Sequence, residues 1–215
     1  MNIFYLHSDP KVCAAMHNDK HVVKMILEYA QLLSTAHRIL DGKLVEGVSK
    51  SGRKAKRYQL ANERDAVLYA ATHANHPSAV WARQSDKNYD WLFALFQECL
   101  NEYTHRYGKV HSTSRLEVWL ASQPVHIPQG EFTEPTPAMP DEYKVAGDSV
   151  TSYRNYYLND KVKMSRWTNS PMPTWFADGI NTLYGDACYI THDVKRNRFI
   201  SMPLYEAQNA NLHIS

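Results

Sequence analysis

His17-Asn18-Asp19-Lys20-His21-Val22-Val23-Lys24-Met25-Ile26-Leu27-Glu28 is the stretch on which the reading of this chain turns. Projected at about 100° per residue from Pro10 to Leu40, it lies within one long helix. Val22, Val23, Ile26, Ala30, Leu33 and Leu40 fall on one side of that helix. His17, His21, Lys24, Glu28, Gln31 and Thr35 fall on the other, in a line. A helix with one apolar face ordinarily leaves the opposite face in water. Solvent faces are usually built from Glu and Lys, so two His at i and i+4 above a Glu point instead to a polar stripe lining a cleft. Asp9-Pro10 opens the helix with a cap residue and a proline at the first helical position. Asp41-Gly42 stops it.

On the N-terminal side, Asn2 to Leu6 is short, apolar and β-prone, which suits an edge strand or a buried arm. On the C-terminal side comes the most basic segment, Lys43 to Arg64, where Gly and Ser separate Lys50, Arg53, Lys54, Lys56 and Arg57. It reads as a flexible loop that either stays in solvent or follows a nucleic-acid backbone. A helix is expected from Asn62-Glu63 to about Ala74, ended by His76-Pro77. A helical turn follows over 78–83. Ser85 or Asp86 caps the next long helix, which runs to Tyr107 and Gly108 with Tyr89, Leu92, Phe96, Leu100 and Tyr103 as its core stripe. A short helix is expected over 114–121. Pro124, Pro128, Pro135, Pro137 and Pro140 then force an extended connection. Ser149 to about Lys161 is helical and rich in Tyr, and the tail from Asp178 has weak periodicity.

The expected architecture is mostly α, a single compact helical domain with a short N-terminal extended arm, a proline-rich loop and at most one minor strand pair. Residues 1–122 form the helical core, 123–148 the proline-rich connection, and 149–215 an aromatic, basic helical segment and tail packed on the same domain.

Composition narrows the function. The chain has 215 residues with 44% hydrophobic and 12% aromatic content, enough to fill a core. The net charge of +2 gives no overall basic field, so any nucleic-acid affinity must be local. The three cysteines, Cys13, Cys99 and Cys188, are far apart, which argues against a disulfide framework or a Cys-based zinc site. Nothing resembles a signal peptide or a membrane span, so a soluble, cytoplasmic protein is expected.

The chemistry can be read in several ways. His17 and His21, joined by His73 and His76, could hold a divalent metal ion for hydrolysis, although the peptidase spacing is absent. With no cofactor, Glu28 could stabilise the positive charge that develops on a sugar when an N-glycosidic bond breaks, while an amine captures C1′. Glu28 could equally pair with Lys24, four residues back. Tyr153-Arg154-Asn155-Tyr156-Tyr157 and Arg166-Trp167 could stack on bases and pair with phosphates, or seal a core edge.

The run from Asn18-Asp19-Lys20-His21 to Glu28 resembles the early helix of the phage pyrimidine-dimer DNA glycosylase/AP lyases of endonuclease V type. His76-Pro77-Ser78 with Asp86-Lys87-Asn88-Tyr89-Asp90-Trp91-Leu92, Glu98-Cys99-Leu100 and Tyr107-Gly108 is similar to that family's central segment. Asp160-Lys161, Arg166-Trp167 and Pro173-Thr174-Trp175-Phe176 are similar to its C-terminal segment. The resemblance implies a DNA-acting enzyme with Glu28 as catalytic carboxylate and His21 as a DNA contact. Lys24 helps hold the phosphate, and the α-amine of Met1 or Lys24 is the nucleophile. Arg53, Lys54, Lys56 and Arg57 grip the backbone, and Arg154, Arg166 and Trp167 approach the lesion. The chain departs from the family at Leu27 and Gln31, where the family has Arg, and at Asn2, where it has a small residue after Met1. Those departures keep a DNA base-modification transferase and a non-catalytic nucleic-acid-binding protein in view as alternatives.

Overall fold

In the computed structural model, residues 1–48, 52, 54–185 and 188–203 are described, the side chains of 55, 56 and 188–191 excepted. The chain is mostly helical with two small sheets, one more than expected. Its residues group into two compact units, each assembled from separate stretches of sequence. No helix among the described residues is long and apolar enough to cross a membrane.

The expected single helix from Pro10 is two, α1 (Pro10–Met16) and α2 (Asp19–Asp41). Asp9 caps α1 by accepting from the Val12 N–H at 3.0 Å. The chain then turns extended at His17, with ψ 134°. Asn18 restarts it, its Oδ1 accepting from His21 N at 2.9 Å and its carbonyl from Val22 N. A break leaves the last carbonyls of α1 without helical donors, and buried carbonyls must find partners. Here four donors arrive. His17 Nδ1 takes Cys13 O at 2.7 Å, His17 N takes Ala14 O, Arg106 Nη2 takes Ala15 O at 3.0 Å, and Trp167 Nε1 takes Met16 O at 3.2 Å. The projected line of polar residues therefore splits: His17 sits in the break, not on α2.

The first unit holds residues 1–3, 25–97 and 112–138. Along α2, Met25, Ile26, Tyr29, Ala30, Leu32, Leu33 and Ala36 are buried. The expected opposite face is not a solvent face, because Thr35 is also buried and bonds both the N–H and the carbonyl of Thr72. The basic segment is a hairpin rather than a loop, β1 (Lys43–Val48) pairing antiparallel with β2 (Lys54–Gln59), Leu44 opposite Tyr58 and Val45 opposite Arg57. The expected helix after Asn62 shrinks to α3 (Arg64–Val67). Arg38 explains this. Its buried guanidinium donates to the carbonyls of Tyr58, Asp65, Leu68 and Tyr69 and to Asp65 Oδ1, so those carbonyls face the guanidinium and leave the helical path.

Next come α4 (Pro77–Ala82), the start of α5 (Asp86–Tyr107), and a 3₁₀ turn leading into α6 (Glu117–Leu120). Ser85 caps α5 through Asn88 N at 3.1 Å. The proline-rich connection is extended as expected and stitched down by side chains. Trp81 Nε1 donates to Thr133 O at 2.9 Å, Ser85 Oγ to Glu131 O at 3.1 Å, and Gly130 N to Asp86 Oδ1 at 2.9 Å.

The second unit holds residues 4–24, 98–111 and 139–215. The N-terminal segment is a buried arm, with Phe4, Tyr5 and Leu6 all inside. Asp148 caps α7 (Ser149–Tyr156), which continues into a π-helical turn over Tyr157–Lys161. Beyond the π turn, the described residues up to Pro203 form one more α-helix and three strands, where the sequence showed only weak periodicity from Asp178. These are β3 (Trp167–Thr168), α8 (Thr174–Tyr184), β4 (Cys188–Asp193) and β5 (Arg198–Pro203), the strands in the order β3-β5-β4. Gly179 lets α8 approach the π turn: a Cβ there would lie 2.6 Å from Leu158 Cδ2.

Candidate active site

Within the second unit, Asn18, Asp19 and His21 form a buried polar hub. Asp19 Oδ1 accepts from Arg106 Nη1 and from Thr168 N, each at 3.0 Å, and Oδ2 from Thr168 Oγ1 at 2.7 Å. Arg106, wholly buried, also donates to Glu102 Oε1 at 2.6 Å. This explains the Asn-Asp pair structurally: Asn18 is a cap and Asp19 an anchor.

His21 is different. It is 4% exposed, and burial, followed by the charge of His17 and of Lys161, Lys24 and Lys20, holds its pKa well below the ordinary range. The ring is therefore neutral, with one N–H. Tyr157 lies with its hydroxyl 2.5 Å from Nδ1. Burial raises the Tyr157 pKa, so the hydroxyl keeps its proton, and its oxygen accepts from the Asn18 backbone N–H. Its proton goes to His21 Nδ1, the one acceptor within reach among the described residues, so the imidazole proton sits on Nε2. Nε2 has no hydrogen-bond partner among the described residues, and the residue as a whole is buried. Phe4 stacks on the imidazole at 3.9 Å and 22°. Tyr156 stacks on Phe4 at 6.3 Å and 12°, and Lys161 Nζ sits 4.4 Å from the Tyr156 ring centroid. A lone imidazole N–H with three ammonium groups in electrostatic range suits an anion.

Other candidates in this unit resolve differently. Lys24 is exposed. Trp167 was expected to meet bases, but it is fully buried, donating to Met16 O and packed edge-on against Phe176 at 4.9 Å. Its role is to close the end of α1. Arg154 spends Nε and Nη2 on Leu6 O, at 3.2 and 3.0 Å, and lies 5.1 Å over Trp175. Arg166 is half-exposed, and its carbonyl accepts from Asp19 N.

In the first unit, Met1, Glu28, His73 and His76 come together electrostatically. His76 caps α4, its Nδ1 accepting from Ser78 N at 3.2 Å, so the neutral ring carries its proton on Nε2. Its pKa is lowered by burial, by the Met1 α-amine and by His73, and raised by Glu28. Amine and carboxylate thus act on one imidazole. Ser78 Oγ also reaches the Met1 carbonyl at 3.5 Å. Glu28 is half-buried. Of the expected backbone grip, Lys54 and Arg57 are exposed on β2, while Arg53 and the Lys56 side chain lie outside the described residues. Arg57 also borders a cleft of about 400 Å³ walled by Arg38, Tyr58, Asp65 and Leu68.

Among the described residues no group of three or more His, Cys, Asp or Glu could hold a metal ion. His17 and His21 have ring centroids 6.4 Å apart, and each has its Nδ1 engaged, on Cys13 O and Tyr157 Oη.

Sequence reasoning missed Tyr157 as the partner of His21, 136 positions away, and the part played by Lys20 and Lys161. As a site residue, His76 was named only as a metal ligand. The Pro77 that follows His76 was the available signal, since it marks His76 as a cap.

No family model, curated protein or solved structure matches this chain.

Proposed function

We propose that the protein is a DNA-acting enzyme that cleaves an N-glycosidic bond, in the manner of the pyrimidine-dimer DNA glycosylase/AP lyases that its His21-to-Glu28 run resembles. The observation that carries the reading is that Ser78 joins His76 to Met1, its N–H donating to His76 Nδ1 at 3.2 Å and its Oγ to the Met1 carbonyl at 3.5 Å, with Glu28 in electrostatic range of the same ring. An amine, a carboxylate and a neutral imidazole are the groups this chemistry uses.

The amine nitrogen, in its unprotonated form, attacks C1′ of the nucleotide. The electron pair of the C1′–base bond leaves with the base, which takes up the proton that the amine nitrogen sheds on bonding to C1′; the neutral His76 offers its Nε2–H as a hydrogen bond to the departing base. Glu28 stabilises the positive charge that grows on the sugar. Opening of the sugar ring leaves nitrogen double-bonded to C1′ as an iminium, which water or elimination then resolves. In the second unit, His21 Nε2–H with Lys20, Lys24 and Lys161 offers a phosphate contact, and Lys54 and Arg57 on β2 offer another.

Glu28→Gln tests the reading, because it keeps the shape and removes the charge. The expected result is a loss of base release of about a hundredfold or more, with duplex affinity nearly unchanged. Turnover equal to that of the unaltered protein overturns it.

A further inference from the structure

The β4–β5 hairpin in the second unit carries a feature that the proposed chemistry does not use. His192 and Phe199 are directly opposite in the strand register, with ring centroids 4.9 Å apart and planes inclined by 38°. Phe199 is 63% exposed, whereas its neighbours Ile200, Ser201 and Met202 are buried. Cross-strand ring pairs do stabilise hairpins modestly. This pair faces outward and leaves most of Phe199 in water.

Charge surrounds the pair. Lys195 and Arg196 occupy the turn between the strands, and Arg198 precedes Phe199. Asp193 is the counterweight, its Oδ2 lying 3.1 Å from Arg196 Nη1 and 3.5 Å from Arg198 Nε. With three cations against one carboxylate, the hairpin tip stays positive. Asp193 and Arg198 pair on the sheet face opposite the two rings, while Lys195 and Arg196 lie in the turn itself, the Arg196 side chain 69% exposed.

We infer that this hairpin is a platform for unpaired DNA: a base stacks on Phe199 and His192, and the adjoining phosphates meet Lys195 and Arg196. Every base has a flat face that an exposed ring can cover, and the flanking charge selects a polyanion over an uncharged apolar partner. The inference rests on the DNA-acting reading above and adds a second contact for the same substrate, on the unpaired strand.

The test compares the binding of an oligothymidylate and of a blunt duplex across a series of salt concentrations. Phe199→Leu keeps an apolar side chain in the strand and removes the ring; Phe199→Trp restores a ring. The expected result is a fall of about tenfold in oligothymidylate affinity for Phe199→Leu, recovery with Phe199→Trp, and an unchanged salt slope, because stacking releases no counterions. Lys195→Ala is expected to reduce the slope by about 0.7. If the unaltered protein binds DNA and Phe199→Leu binds the oligothymidylate equally well, the platform is overturned and the DNA reading stands. If Phe199→Leu weakens duplex binding as much as oligothymidylate binding, the claim for unpaired bases is overturned. If the unaltered protein binds neither DNA, both readings fall.

Discussion

The Tyr157 hydroxyl donates to His21 Nδ1 across 2.5 Å, and by doing so leaves the imidazole proton on Nε2. Both side chains are buried, and the same hydroxyl oxygen accepts from the Asn18 N–H that opens α2. One phenol thus sets a tautomer and completes a helix start.

Tyr157→Phe removes that hydroxyl and strands two buried groups, the Asn18 N–H and His21 Nδ1. The expected cost is about 1–3 kcal/mol of stability, read from urea denaturation. A second readout is specific to the tautomer. Imidazole nitrogen chemical shifts of His21 should change from an Nε2–H pattern to a mixture. An unchanged pattern would show that Tyr157 does not set it.

Arg106→Met should be among the most damaging substitutions in the second unit. It leaves Asp19 and Glu102 without their shared cation and the Ala15 carbonyl without a donor. Breaking a buried ion pair from one side costs roughly 3–5 kcal/mol. Denaturation midpoints check it, and a loss of less than about 1 kcal/mol would contradict the hub, being no more than a surface pair is worth.

How much of this was legible in the sequence differs by feature. The caps at Asp9 and Ser85, the long helix ending at Tyr107 and the extended proline segment all followed from local rules, and the structure agrees. The break at His17 did not, because the four donors that satisfy the freed carbonyls include Arg106 and Trp167, remote in sequence. The shortened helix after Arg64 has the same origin, since Arg38 draws its carbonyls away. Strands β1 and β2 were hidden because charged Lys43, Glu46, Lys54 and Arg57 interrupt their apolar residues and none of the described side chains in them is buried, which reads as loop when pairing is unknown. The polar stripe was seen, but its residues divide. His21 and Thr35 are buried, Lys24 is exposed, and Glu28 shares its surroundings with His76, which sequence periodicity does not bring near it.

Acid should destabilise the protein in a defined window. Burial lowers the folded pKa of both His17 and His37 to about 4. Unfolded histidine titrates near 6.5. Above about pH 6.5 both states are neutral at these positions and the full stability is present. Below it the unfolded chain takes up protons that the folded chain refuses until about pH 4, so stability falls as pH falls through that interval. Urea midpoints measured from pH 7 down to about pH 4.5 should decline steadily, and His37→Gln should make the decline shallower. A flat profile would contradict the burial of these rings as neutral species.

His76 can be divided into its two roles. His76→Asn keeps a side chain able to cap α4, whereas His76→Ala removes the cap and should cost about 1 kcal/mol. Both remove the imidazole N–H proposed to bond the departing base, so base release should fall alike in the two variants, by about a hundredfold. Activity that follows stability instead, with the Asn variant active, would reduce His76 to a cap.

The proposal that the Met1 α-amine forms a covalent bond to the sugar is tested by borohydride reduction in the presence of duplex DNA carrying one abasic site. The account predicts a stable protein–DNA adduct, mapped by peptide mass to the Met1 α-amine and lost when an N-terminal extension displaces that amine. Absence of an adduct under conditions where the protein binds the DNA would contradict the account, as would an adduct mapped to a lysine remote from Glu28.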